Sequence, residues 1–450
     1  MKIYILHIIR AAAIVLCFIL PAGCADQLDS IRPKDRIEQG QLSESDIDKL
    51  VNGVYSVMED FTFAYFFDWD VKGENFRAGP GFSLSDPLSM SPSDANILSK
   101  WRSATSALKE VNFLVETYEA APGKDTPAYR IAGGTGYMFR ALIYYHLATR
   151  WGGVPILEKR SYDAVPVSPE AAVWTFIKDD LSRAGNLLPE FSDKFYLSKS
   201  ACNALLTRVH LALGDHGAAA SAAAAVIDSR RFSLATTSET FAGNFVSNAT
   251  SGEIIFCLAN KRSSSYKLFY NYVNDIDGSW EYAPAREIYT SLFADTPAKT
   301  GDIRHEATFG ANPDRLIKFP NGQSEQFIFN PEPRQTPMMV FRLPEMYLAW
   351  AEAQGNNTAG NKTLQTFMEN RYATVNIPSP MTDRQFQELV LDERHRELYG
   401  EGFRWHDLKR TGRLDLFATL NGRDYLMYYP LPQNEIDLAG KENYPQNNGY

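Results

Sequence analysis

At 450 residues, with 44% apolar and 22% charged side chains, the chain is long enough for a large core and too apolar for wholesale disorder. Its net charge of -9, with no long basic run, argues against nucleic acid as a partner. Aromatic residues make up 13%, enough to fill a core and leave some for a ligand surface.

Lys2 and Arg10 precede a mostly apolar, uncharged run from Ala11 to Gly23. A basic start, an apolar middle and small residues at its end are the marks of a secretory signal over residues 1–23. The run is too short for a comfortable membrane span. Ala22-Gly23-Cys24 resembles a lipobox, although Pro21 stands where leucine is usual and Leu20 lies one place further back. Cys24 is therefore expected to carry lipid and to begin the mature chain; the plainer alternative is an ordinary thiol in a secreted protein. Cys202 and Cys257 are then left, one on a predicted helix and one in a strand-like run. They are expected to be buried thiols, with a disulfide as the alternative in an oxidising compartment.

In chain order, apolar spacing predicts a first helix over Ser43–Phe61. An irregular stretch follows from Asp68 to Ser93, rich in Gly, Ser, Pro and Asp. Ser93 or Asp94 caps a helix running through Trp101, a core residue, to Tyr118. Gly136–Thr149 carries an apolar stripe and stops at Gly152-Gly153. Ser168–Leu188 pairs with it. Leu197–Leu213, the turn Gly214–Gly217 and an alanine-rich helix to Ser229 look like a tetratricopeptide unit. Stretch 136–188, Leu343–Gln354 with Lys362–Tyr372, and Arg384–Lys409 repeat the same logic. The predicted fold is mainly α, a tetratricopeptide-like scaffold of about four helix pairs. Residues 231–340 read as a loop-rich insertion with short strands, Glu253–Leu258 among them, between helical parts at 24–230 and 341–450.

Near the C-terminus a helical face containing Phe386, Leu389 and Val390 continues into Glu393 and Glu397. Carboxylates at apolar positions need cations and hydrogen bonds. Gly400 and Gly402 allow Phe403–Arg410 to fold back, which would bring Arg404 or Arg410 onto them. The reading is a helical hairpin locked by an ion-pair network of Glu393, Arg394, Glu397, Arg404 and Arg410, with His395 and His406 as members. A glycosidase pair is the alternative, since Glu393 and Glu397 stand one helical turn apart. Flanking arginines would hold both ionised, which spoils the general acid. Histidine ligand spacing, a P-loop, G-x-S-x-G and a dinucleotide fingerprint are all missing. Asp275-Ile276-Asp277-Gly278 is a fragment of a calcium loop without its distal glutamate, a weak hint of structural calcium. No other metal or cofactor is expected.

Sugars present flat C–H faces and rings of hydroxyls, which suit aromatic plates flanked by amides, carboxylates and guanidiniums. Two loops have that composition. One holds Asp68, Trp69, Asp70, Asn75, Phe76 and Arg77; the other, Tyr266–Tyr282, holds Asn274, Asp277, Trp280 and Tyr282. Trp280 has few apolar neighbours in sequence, so an exposed indole is expected. For each aromatic residue, core packing or contact with a partner is the competing reading.

Several longer motifs belong together. They are the acidic start Ala25–Pro33, Trp101 with Asn112, R-A-x-x-Y-x-x-L-x-x-x-x-G-x-V-P over Arg140–Pro155, and RLPEMYLAWAEA over 342–353. ERHRELYGEGFRWHDLKR over 393–410 and an ending from Leu426 to Tyr450 that closes in QNNGY complete the set. Together they resemble the SusD/RagB family of Bacteroidetes outer-membrane nutrient-binding lipoproteins, across residues 24–450. The resemblance implies a lipid-anchored protein at the cell surface, held in the outer membrane through Cys24. It implies capture of an oligosaccharide on loops over a helical platform, and delivery to a SusC-like TonB-dependent transporter. The family has no fixed ligand motif, so no ligand residue is carried over from it. A surface glycoside hydrolase and a peptide-binding tetratricopeptide scaffold remain alternatives.

Overall fold

The helix start expected at Ser93 or Asp94 is met by a side-chain cap, and the turn at Gly214–Gly217 supplies another. In the structure, a computed structural model, Asp94 Oδ1 accepts from Asn96 N at 2.8 Å and Asp215 Oδ1 from Ala218 N at 3.2 Å. Residues 42–450 are described except 67, 80, 82, 84–87, 161–163, 247–251, 261–280, 310–313, 320–335, 418–419 and 421. The expected signal segment and Cys24 lie outside them. No described helix is long and apolar enough to cross a membrane.

Helix α1 (Glu44–Tyr65) buries Val54, Met58, Phe61 and Tyr65 on one stripe. The next stretch departs from the expected irregular loop: α2 (Asp68–Lys72) and β1 (Phe76–Ala78) are folded, with Trp69, Asp70, Lys72 and Phe76 buried. Helix α3 (Ala95–Ala120) leads to α4 (Pro127–Trp151). That helix begins well before the expected Gly136, and its early glycines serve contact. A Cβ on Gly133 would stand 2.6 Å from the Tyr118 ring, and one on Gly136 would stand 2.7 Å from Val115. Close helix approach offsets the propensity cost of about 1 kcal/mol per glycine.

After α4, β2 (Val154–Pro155) pairs with β3 (Val167–Ser168), and α5 (Glu170–Leu187) packs back on α4. Arg140 of the R-A-x-x-Y motif bonds Asp180 of α5 at 2.7 and 2.8 Å and Asn112 of α3 at 3.1 Å. That motif therefore works as a buried tie between three helices. Helices α6 (Lys199–Ala212) and α7 (His216–Ile227) form the next pair.

The insertion contributes α8 (Ser238–Ala242), β4 (Ile254–Leu258), β5 (Tyr282–Pro284), β6 (Lys299–Asp302), α9 (Ile303–Phe309) and β7 (Met338–Arg342). The C-terminal part holds α10 (Leu343–Gln354), α11 (Thr358–Glu369), β8 (Tyr372–Val375), α12 (Asp383–Glu397), α13 (Arg404–Arg410) and α14 (Gln433–Ala439). Antiparallel two-stranded sheets stitch remote segments together: β1 to β5, β4 to β7 and β6 to β8. Strands β4 and β7 are buried along their whole length. Phe241, Phe245, Phe309 and Phe319 of the insertion share a core cluster with Tyr399. The insertion is thus part of the core. Its alternating and mixed sequence hides this because its partners lie far along the chain.

Helices α10 and α11 pack together, giving a mainly helical, tetratricopeptide-like scaffold with short sheets. The fourth pair is unequal. Helix α12 lies against α10, whereas the short α13 packs on α2. Cys202 and Cys257 are both buried free thiols, and Cys202 Sγ sits 3.6 Å from Met138 Sδ.

Candidate functional site

The C-terminal carboxylates are fully buried, and their partners differ from those the sequence suggested. Glu397 is bonded by Arg371 at 2.8 Å and by Arg342 at 2.9 Å, with Arg304 at 3.4 Å. Glu393 takes Arg304 at 2.8 Å, Lys299 and Arg396 at 3.0 Å, and the Tyr372 hydroxyl at 2.6 Å. Glu401 joins through Lys318 and Arg342, and Glu253 through Arg342 and Arg371. Apart from Arg396, these cations come from residues 299–371. Neither Arg404 nor Arg410 reaches Glu393 or Glu397. Arg410 binds Glu352 and Asp407, and Arg394 binds Asp407 at 2.9 Å, so the hairpin is locked through Asp407. Arg404 makes no ion pair within 4 Å among the described residues; its stem lies against Gly73. The turn at Gly400 and Gly402, with φ of 78° and 80°, faces the hairpin's cations away from the α12 carboxylates.

Burial opposes ionisation of Glu393, but Arg304, Arg396 and Lys299 outweigh it and hold its carboxyl down to about 2. Burial likewise opposes ionisation of Glu397, and Arg371, Arg342 and Arg304 hold it lower still. A glycosidase needs one protonated carboxyl facing solvent. Two ionised, fully buried carboxylates do not supply it, and this cluster is a structural core.

Most of the first candidate loop, from Asp68 to Phe76, is also core. Asp68 pairs with Arg150 at 2.7 Å and accepts from the Tyr429 hydroxyl at 2.7 Å. Trp69 is 3% exposed, lying under the Arg150 guanidinium at 3.9 Å and stacked on His406 at 5.0 Å. His406 is therefore a packing partner, since neither of its ring nitrogens has a hydrogen bond. His395 does belong to a polar cluster, through Asn75 Oδ1 at 2.6 Å. Asp70 accepts from the Gly402 amide and from Asn75. Phe76 is 6% exposed and packs on Tyr399. Asp68, Trp69 and Phe76 thus have no face for a ligand: α2 plugs the seam between α1, α4 and α13. Sequence composition could not show this, because the plug's partners Arg150, His406 and Tyr429 lie far away in the chain.

What remains open is a rim. Strand β1 pairs with β5 so that Arg77 faces Ala283 and Ala78 faces Tyr282. Arg77 reaches Asp314, and the two side chains are 37% and 42% exposed. Tyr282 is half-buried against Phe76 at 6.2 Å, and burial raises the carboxyl of its neighbour Glu281. The rim therefore offers the Tyr282 phenol and the Arg77 guanidinium on the short β1–β5 sheet, with the Glu281 and Asp314 carboxylates beside it, the mix that hydroxyl-rich ligands need. Asp314 and Glu281 escaped the sequence reading: Asp314 lies outside both candidate loops, and Glu281 lies between Trp280 and Tyr282, in a stretch read for its aromatic residues. Asn274, Asp277 and Trp280, with the calcium-loop fragment, lie outside the described residues. Among those described, no cluster of three His, Cys, Asp or Glu stands ready for a metal ion.

Comparison with known proteins places this architecture. A family model described as "SusD family" matches residues 315–424, and one described as "Starch-binding associating with outer membrane" matches residues 26–211. SusD-like protein P38 of Formosa agariphila is 24% identical, covering 74% of this chain and 76% of its own. SusD-like protein P2 of the same organism is 26% identical over 70% of this chain and 73% of its own. Among solved structures, a laminarin binding SusD-like protein superposes with a TM-score of 0.72 at 21% identity, covering 91% of this chain and 100% of that one. A SusD superfamily protein from Bacteroides fragilis gives 0.75 at 18% identity, with the same coverage.

Proposed function

The chain belongs to the SusD/RagB family, and we propose that it captures a glycan at the cell surface and delivers it to a SusC-like TonB-dependent transporter. The observation that carries this reading is the matching of both halves of the chain by family models, one of them described as starch-binding. Lipid on Cys24 anchors it to the outer membrane. The rim at β1 and β5 is where we place the glycan. Tyr282 lies against the sugar, Arg77 and Asp314 take hydroxyls, and Trp280, Asp277 and Asn274, just before β5 in sequence, supply the remaining contacts. The laminarin-binding neighbour supports a glucan as the first ligand to try. The protein binds without cleaving, in keeping with the buried, ionised state of Glu393 and Glu397.

A panel of oligosaccharides tests this, with binding and product formation followed together. Binding without cleavage is expected; release of shorter sugars would return the hydrolase reading, and binding of peptides alone the scaffold reading. For the anchor, Cys24→Ser should abolish incorporation of labelled fatty acid and free the protein from the membrane fraction. Continued labelling would remove the lipid claim.

A further inference from the structure

A cavity of about 40 Å³ lies where α1, α2 and α4 meet β7 and the turn after α12. Four side chains in its wall carry a polar group with no hydrogen bond among the described residues. Thr62 Oγ1 of α1 and Trp69 Nε1 of α2 are buried and unpartnered. The Tyr145 hydroxyl and His146 Nε2 of α4 are unpartnered as well. The four are neighbours: the Trp69 and Tyr145 rings lie 6.2 and 5.6 Å from that of His146. Polar groups buried in this way are costly to leave unbonded. The charges in the same wall are already satisfied. Arg208 binds Glu345 at 2.6 Å, and Glu401 binds Lys318 at 2.7 Å and Arg342 at 2.6 Å.

The chemistry of the four groups selects the occupant. Arginine only donates, so Arg150 Nη1, 3.0 Å from His146 Nδ1, makes that nitrogen an acceptor. Burial, with Arg150 and Arg208, holds the imidazole neutral, so Nε2 carries its one proton. The Trp69 indole is likewise a donor only, whereas the Thr62 and Tyr145 oxygens accept. The cavity thus presents two donors and two acceptors. A water accepts two hydrogen bonds and donates two. It needs at least about 10–15 Å³ and two to four polar partners, and both are present. The space is far below the roughly 300 Å³ at which small-molecule sites begin. An anion would meet the Glu401 carboxylate in the wall, and a cation would meet two N–H groups. We infer that this cavity binds one ordered water, which accepts from Trp69 and His146, donates to Thr62 and Tyr145, and so ties the α2 plug to α1 and α4. The inference does not depend on the glycan reading.

Two measurements on the full chain in detergent test it. The first is the sign of a stability change. Thr62→Val keeps the shape of the side chain and removes its oxygen. With the water bound, the variant leaves it short of an acceptor, and the unfolding midpoint falls. An unchanged or raised midpoint, the result when an unbonded hydroxyl gives way to a methyl group, would overturn the inference. The second uses the unaltered chain, so it holds whether or not that variant folds. The Trp69 indole N–H signal, assigned by its loss in Trp69→Phe, should show a nuclear Overhauser effect to water with the sign of a long-lived bound molecule. Its absence would also overturn the inference. Crystals soaked in bromide should show no anomalous peak in the cavity; a peak there would make the occupant a halide and displace the water.

Discussion

The ionic core around Glu397 and the rim around Arg77 are built from the same residue types, and they differ in water. Arg371 meets Glu397 at 2.8 Å with both side chains 0% exposed. Arg77 meets Asp314 with more than a third of each side chain in solvent. In the core, desolvation makes each unpaired charge costly, so every carboxylate is surrounded by cations and the cluster fixes how the insertion meets the C-terminal helices. At the rim, the pair costs little to break and its groups can turn to a ligand. Arginines and carboxylates in a sequence thus do not announce function; their exposure does.

The sharpest way to break this contrast is to remove one core carboxylate. Glu397→Ala strands Arg371 and Arg342 without their main counter-charge, and should cost about 3–5 kcal/mol of stability, read as a large drop in the unfolding midpoint. A midpoint equal to that of the parent chain would deny the core its role.

Acid should attack the core next. The folded carboxyl of Glu393, at about 2, lies below its ordinary value of 4.5. The folded state therefore binds fewer protons than the unfolded chain between those limits. Its contribution is fully present above pH 4.5 and lost as pH falls toward 2. Integrated, this group contributes on the order of 3 kcal/mol. Melts from pH 6 to pH 2 should fall steeply below 4.5, and Glu393→Gln should flatten that limb.

Within α2 two acids two places apart behave oppositely. Burial disfavours the Asp68 carboxylate, but Arg150 and Lys100 hold its carboxyl well below the usual range. Burial pushes Asp70 up to about 7, despite the Gly402 amide and Asn75. Between 3.8 and 7 the folded state holds a proton on Asp70 that the unfolded chain has lost, so this group costs stability as pH rises. At pH 8, Asp68→Asn should destabilise by about 1–3 kcal/mol, whereas Asp70→Asn should be neutral or stabilising. Equal losses in both variants, by chemical denaturation, would refute the difference.

The smallest stability effect belongs to the rim. Arg77→Ala should change unfolding stability by about 0–1 kcal/mol while weakening glycan binding. A large loss of stability would place Arg77 with the core.

Much of the fold was legible in the chain because its signals are local. Asp94 marks a helix start, and the spacing of Leu142 with Tyr145 marks a buried face. Gly400 and Gly402 marked the turn after α12. Partners of long reach were not legible. Glu393 and Glu397 could be read as buried carboxylates, yet nothing near them names Arg304, Arg342 or Arg371 as their cations. The segment from Asp68 to Phe76 has the composition of a sugar loop and the position of a plug, and only Arg150, His406 and Tyr429 decide between the two. For the rim, the sequence offered Tyr282 and Arg77 but not their pairing across β1 and β5, nor Asp314.

The account rests most on the claim that the rim, and not the buried carboxylates, meets the glycan. Calorimetric titration of Tyr282→Ala with laminarin and starch oligosaccharides, beside its thermal melt, tests that directly. Binding weaker by about five- to a hundredfold, the scale of a hot-spot aromatic, with the folded state retained, is the predicted result. Unchanged affinity in a folded Tyr282→Ala would contradict it and move the ligand off the β1–β5 rim.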